Sequence, residues 1–170
     1  MVEFDVVEFE PADAPTAGEV APDFTRPLVN DEYWENTSLS AVTADGPTLL
    51  VFYSMNGAFP ATYVWNELRD REWSDLLSVV GITISTPYDH KSFLDDRNLT
   101  DVSLFSDPSN EVAADYGVAH DLDGMAGVSE PRLSFFLLSE DRTIEHSWIA
   151  SEWPEFPDYD ELEAELKDAL

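Results

Sequence analysis

The stretch Thr48–Trp73, TLLVFYSMNGAFPATYVWNELRDREW, constrains the fold more than any other. It opens with Leu49, Leu50, Val51, Phe52 and Tyr53, an unbroken apolar run of β-formers, which is the pattern of a strand covered on both faces. Asn56 and Gly57 then break the chain, and Pro60 suits the first residue of a helix because its fixed φ is helical and its missing N–H leaves no bond unmade there. Ala61, Val64, Trp65 and Leu68 follow at i, i+3, i+4 and i+7, one apolar face aimed at a core. A strand feeding directly into such a helix is the unit of an α/β sheet, and the mouth between them is where these folds place their ligands.

The remaining chain repeats the rhythm. Ser78–Ser85 reads as a second buried strand, with Thr86-Pro87 starting a helix that runs to about Arg97. Leu104-Phe105 is a short strand, Asp107-Pro108 offers the same cap-and-proline device, and Gly117 closes the next helix in a left-handed position. Arg132–Leu138 and Thr143–Ile149 form a hairpin around Ser139-Glu140-Asp141-Arg142. After Pro154 and Pro157 a last helix carries Tyr159, Leu162, Leu166 and Ala169 on one face. Before the central strand, Pro27-Leu28-Val29 is a strand candidate, and Thr37 or Ser38 caps a single helical turn ending near Val42. Residues 1–19, with Val2, Phe4 and Val6 and then Pro11, Pro15 and Gly18, read as an extended arm. Residues 20–170 read as one α/β domain with a βαβα half and a ββα half, a thioredoxin-like plan.

At 170 residues and 44% hydrophobic content the chain suits one domain with a substantial core. No apolar run approaches the roughly 20 residues that span a bilayer, and the opening MVEFDVVEFE is acidic where an export signal is basic, so a cytoplasmic location is expected. With 36 Asp plus Glu against 8 Lys plus Arg, the net charge is −28. The acids are spread among Trp, Phe, Leu and Val, which is compatible with folding and resembles the surface of a salt-loving archaeal protein, where molar salt screens charge beyond about 3 Å. A functional acidic surface such as a nucleic-acid mimic is the alternative. Direct binding of nucleic acid is not expected, since no basic stripe exists to meet phosphates. There is no cysteine. Disulfides, thiolate metal sites and iron–sulfur clusters are excluded.

On three features the chain resembles the peroxiredoxins of the alkyl hydroperoxide reductase/thiol-specific antioxidant type: the LLVFY strand with its helix, Ala21-Pro22-Asp23-Phe24 upstream, and the order of elements from Val20 to the C-terminus. The resemblance implies a thioredoxin-like central mixed sheet flanked by helices. Family members carry Pro-x-x-x-Thr/Ser-x-x-Cys after such a strand, and those positions fall here on Ser54, Ala58 and Ala61. None matches. The family's chemistry needs a thiolate to attack the peroxide O–O bond and become a sulfenic acid, which alanine cannot do. Arg132 matches the arginine that, in the family, helps hold thiolate and peroxide. A plain ion pair with a carboxylate is its other reading.

The resemblance therefore implies a peroxiredoxin-like protein without peroxidase activity and without a cofactor. Its expected role is binding or regulation, as a homodimer or beside a related redox protein. The alternative is an antioxidant or oxidoreductase working through a non-thiol group or a bound cofactor. Other residues point less far. His90, His120 and His146, on a helix, a loop and a strand, lack ligand spacing and read as surface or loop histidines. Asp121-Leu122-Asp123-Gly124 is a fragment of a calcium-loop pattern without its closing glutamate and reads as a solvated turn. Ser54 reads as a loop hydrogen-bonding residue, and Met55 as packing, with a sink oxidised to sulfoxide as its other reading. Phe52, Tyr53, Phe59, Tyr63 and Trp65 are expected around the emptied position, with Phe59 or Tyr63 marking a dimer surface if exposed.

Overall fold

The structure, a computed structural model, describes residues 6–120 and 126–170. The strand candidates Val2 and Phe4 and the Asp121–Gly124 fragment lie outside the described residues. Along the chain run β1 (Val7–Glu8), β2 (Thr25–Val29), β3 (Trp34–Ser38), α1 (Leu39–Thr43), β4 (Thr48–Phe52), α2 (Phe59–Asp70), β5 (Ser78–Thr83), α3 (Pro87–Asp96) and β6 (Val102–Ser106). Then come α4 (Glu111–Asp115), β7 (Ala119–His120), β8 (Glu130–Pro131), β9 (Ser134–Leu138), β10 (Ile144–Ile149), β11 (Glu152–Trp153) and α5 (Tyr159–Ala169).

Seven strands form one mixed sheet in the order β10-β9-β4-β5-β6-β2-β3. The centre, β4-β5-β6, is parallel, as the helical crossovers α2 and α3 require. The flanks are antiparallel hairpins. Every residue of β4 is buried, and its side chains alternate between two cores. Leu49 and Val51 face Trp65 and Leu68 of α2 and Leu162 and Leu166 of α5. Leu50 and Phe52 face Leu39, Val112 and Tyr116 on the other side. Gly81 in β5 lets α2 sit close: a Cβ there would lie 2.6 Å from both the Trp65 ring and Leu104. Each large side chain fully buried this way contributes on the order of 1.5–3 kcal/mol.

Several sequence expectations are corrected here. β3, an exposed edge strand reading WENTS, is present where none was expected. Pro60 is the second residue of α2, behind Phe59, with Ala58 as the N-cap. Asp107-Pro108 does not start α4. The helix begins at Glu111 after Asn110, whose φ of 58° is left-handed, while the buried Asp107 carboxylate accepts from the Val112 amide at 2.9 Å and from Arg26 Nε at 2.8 Å. The strand expected from Arg132 starts at Ser134. Gly117 does follow α4 with φ +70°.

The N-terminal arm lies against the domain. β1 pairs with β11, Val7 opposite Trp153, and the Phe9 amide donates to the Ser151 carbonyl at 2.9 Å. Further on, a Cβ at Gly117 would stand 2.2 Å from the Asp13 carbonyl oxygen, so only glycine allows that close pass. Gly18 and Glu19 then exchange 2.8 Å hydrogen bonds with Ile144.

Candidate functional site

The turn between β4 and α2 is built by a chain of buried polar bonds. Tyr53 Oη donates to Asn56 Oδ1 at 2.7 Å, Asn56 Nδ2 donates to His90 Nδ1 at 2.9 Å, and His90 Nε2 donates to the Phe105 carbonyl at 2.8 Å. Because a carbonyl only accepts, this order fixes His90 as the neutral Nε2–H tautomer. His90 is fully buried on α3, not on the surface as its sequence suggested. Burial pushes its pKa down to about 4, against the Phe105 hydrogen bond and nearby Asp89, which act the other way. Ser85 extends the support: its Oγ accepts from the Asn56 amide at 3.0 Å, and Thr83 Oγ1 donates to the Ser54 carbonyl at 2.6 Å.

Beside this frame, Tyr53, Ser54, Pro60 and Ala61 line a small cavity closed by Phe9 and Trp153. Its volume is about 30 Å³, comparable to the space of one water molecule. Ala61 is the third helical residue, 1% exposed, in the turn where α2's free amides and dipole favour an anion. Ala58, at the N-cap, gives those amides no side-chain acceptor. Among the described residues the Ser54 hydroxyl has no hydrogen-bond partner, so its part in the loop is its main-chain carbonyl. The cavity is therefore small and mostly apolar, with His120, Glu152 and Glu155 also in its wall and a methyl group at the helix entrance.

Arg132 lies behind Phe9, 6% exposed. Among the described residues it meets no carboxylate. Instead Nη2 donates to the Glu10 carbonyl at 2.8 Å, Nη1 reaches the Ala150 carbonyl at 3.4 Å, and the guanidinium carbon lies 4.4 Å from the Phe9 ring centre. Nε has no partner there, and burial lowers the pKa. By contrast Arg26, Arg69, Arg71 and Arg142 all sit against acids. The Phe9 and Glu10 contacts were missed in the sequence because they lie more than a hundred residues from Arg132.

The other candidates disperse. His120 is half-buried in β7, with Nδ1 4.0 Å from Glu130, and His146 Nε2 in β10 is 2.8 Å from Glu165. Among the described residues no three His, Asp or Glu side chains are gathered to hold a metal ion. Phe52 faces the opposite core, whereas Tyr53 and Trp65 pack beside Ala61. Tyr63 is 61% exposed and stands edge-on to Phe59 and Phe156. No helix among the described residues is long and apolar enough to cross a membrane.

The sheet order and the strand-to-helix mouth define a thioredoxin-like protein of peroxiredoxin type. The AhpC/TSA family model matches residues 17–147, and the chain belongs to that family. Among solved structures it is similar to the peroxidoxin BcpB of Mycobacterium tuberculosis, at 26% identity over 91% of this chain and 96% of that one, with a TM-score of 0.73. Enterococcus faecalis AhpC shares the fold at 16% identity, TM-score 0.76, covering 91% and 92% of the two chains. A thiol peroxidase from Chromobacterium violaceum does so at 19% identity, TM-score 0.75, covering 92% and 89%. No curated protein matches the chain.

Proposed function

We propose that this chain is a cytoplasmic, non-catalytic member of the AhpC/TSA family whose role is binding or interaction. The observation that carries this is Ala61: a methyl group stands at the helix entrance beside a small, mostly apolar cavity, in a chain that has no sulfur outside three methionines. Arg132 is the group left to bind, as a buried guanidinium without a carboxylate among the described residues. The Tyr63, Phe59 and Phe156 cluster supports a homodimer in which a second copy covers the exposed ring. Because the net charge of −28 opposes self-association, that dimer belongs to molar salt, which also fits a halophile-type surface. The purified chain in molar potassium chloride, with a dithiol reductant, is expected to consume hydrogen peroxide no faster than buffer. It should elute as a dimer that dissociates when salt is lowered or Tyr63 becomes Glu. Enzyme-like peroxide turnover would falsify the non-catalytic reading.

A further inference from the structure

The central sheet ends on two edges that are treated differently. β10 carries a bulge between Ile144 and His146, and the N-terminal arm covers its start, where Gly18 and Glu19 bond Ile144 and Val20 bridges Thr143. β3 has neither device: it pairs with β2 over five residues without a shift in register and contains no proline or lysine. The Asn30 amide donates to the Tyr33 carbonyl at 3.0 Å, so by alternation Tyr33, Glu35 and Thr37 turn their main chain towards β2. Trp34 and Asn36 therefore turn N–H and C=O outward, and among the described residues no strand meets them. The two faces of this edge also differ. Trp34, 45% exposed, stands on the α3 side opposite buried Val29. Tyr33 and Glu35 stand on the other side, in the wall of a groove of about 280 Å³ that Leu28, Val42, Val80 and Asp45 also line. Lys91, the cation beside this hairpin, is held by the Asp31 carbonyl and the Asp95 carboxylate. Among the described residues Glu32, Glu35 and Asp45 form no ion pair.

We propose that β3 is a docking edge for an extended, cationic segment of a partner protein, which adds a strand to the sheet. Trp34 and Asn36 supply the main-chain ladder. A Lys or Arg on the incoming strand stands opposite Glu35 at the rim of the groove, with its apolar stem towards Leu28 and Val42. A second copy is the poorer occupant, because two β3 strands paired about Glu35 set two carboxylates directly opposite each other. In molar salt charge is screened beyond about 3 Å, so the ladder supplies affinity and the contact pairs select a basic partner. The inference stands apart from the reading of residue 61.

The test uses the full chain in molar potassium chloride and the acetylated, amidated heptapeptide TKVKVKT, which puts Lys on one face and Val on the other, followed by residue-resolved hydrogen exchange. The peptide is expected to slow exchange at the Trp34 and Asn36 amides and to leave Glu35 and Thr37, already bonded to β2, unchanged. TEVEVET should have no effect, and Glu35→Gln should raise the half-effect concentration of TKVKVKT roughly 2- to 5-fold, the size of a surface ion pair. Asn36→Pro removes an outward N–H without cutting the β2 ladder and should weaken binding roughly tenfold or more. TKVKVKT N-methylated at both valines keeps every charge, loses the amides that face β3, and should not protect the native chain. Unchanged exchange at Trp34 and Asn36 in millimolar peptide, equal protection by TEVEVET or by the N-methylated peptide, or an unmoved midpoint in either variant would overturn the inference. Protection of the same amides that grows with protein concentration in the absence of peptide would assign the edge to a second copy, and would overturn it too.

Discussion

Two buried polar groups flank the mouth of β4 and α2, and they are treated in opposite ways. His90 has both ring nitrogens bonded, and Asn56 carries the chain on to Tyr53, so the turn's frame is closed. Arg132, behind the emptied cavity, is left with a bare Nε, a 3.4 Å contact and one good carbonyl bond from the arm. A polar group that holds a fold is fully satisfied, because an unmade buried hydrogen bond costs about 1–3 kcal/mol. A group that serves binding keeps open valence. On the proposed reading, the frame of the family's site has outlived its reagent.

The largest effect is expected where the frame is cut. Asn56→Ala leaves the Tyr53 hydroxyl and His90 Nδ1 without their partners, and should cost about 3 kcal/mol by denaturant unfolding. A loss well under about 1 kcal/mol would show that the network is not what fixes the turn.

The same frame predicts a pH dependence of similar size. His90 has a native pKa of about 4 against about 6.5 when unfolded, so between those values the unfolded chain binds a proton that the native chain refuses. Its stabilising contribution is complete above pH 6.5 and is lost as pH falls through 4, on the order of 3 kcal/mol in total. Protonation would set Nδ1–H against the Asn56 amide donor. Stability measured from pH 7.5 to 4.5 in molar salt should fall more steeply in the native chain than in His90→Gln, and parallel curves would refute the assignment.

On the binding side the effects shrink. Ala58→Ser restores a hydroxyl acceptor at the α2 N-cap and should stabilise by about 1 kcal/mol, read as a higher melting temperature. Arg132→Met should leave stability within about 1 kcal/mol of native, since it replaces a poorly satisfied buried cation with an apolar chain of similar length. A loss of several kcal/mol would make Arg132 a structural group and erase the contrast with His90.

Much of this frame was legible in the sequence. The LLVFY run and the Ala61, Val64, Trp65, Leu68 face gave β4 and α2 because their periods are local, and Thr86-Pro87 and Gly117 marked helix ends by their own backbone chemistry. β3 was not legible, because an exposed edge strand such as WENTS has no alternation and a single apolar residue, Trp34. His90 left a signal that was passed over: with Phe93 and Leu94 it forms an i, i+3, i+4 face, and that face is buried. The Phe9–Arg132 contact left none, since it joins residues more than a hundred positions apart whose meeting depends on the β1–β11 ladder.

The central claim is that residue 61 is the family's reactive position with its sulfur removed. The most direct test is single-turnover mixing of Ala58→Thr/Ala61→Cys with one equivalent of hydrogen peroxide in molar salt, trapping the sulfenic acid. As a control, Ala114→Cys carries its thiol on the exposed face of α4. The account predicts that the thiol at 61 reacts roughly tenfold faster or more, because the start of α2 favours the thiolate. A thiol at 61 that reacts no faster than the control would contradict it.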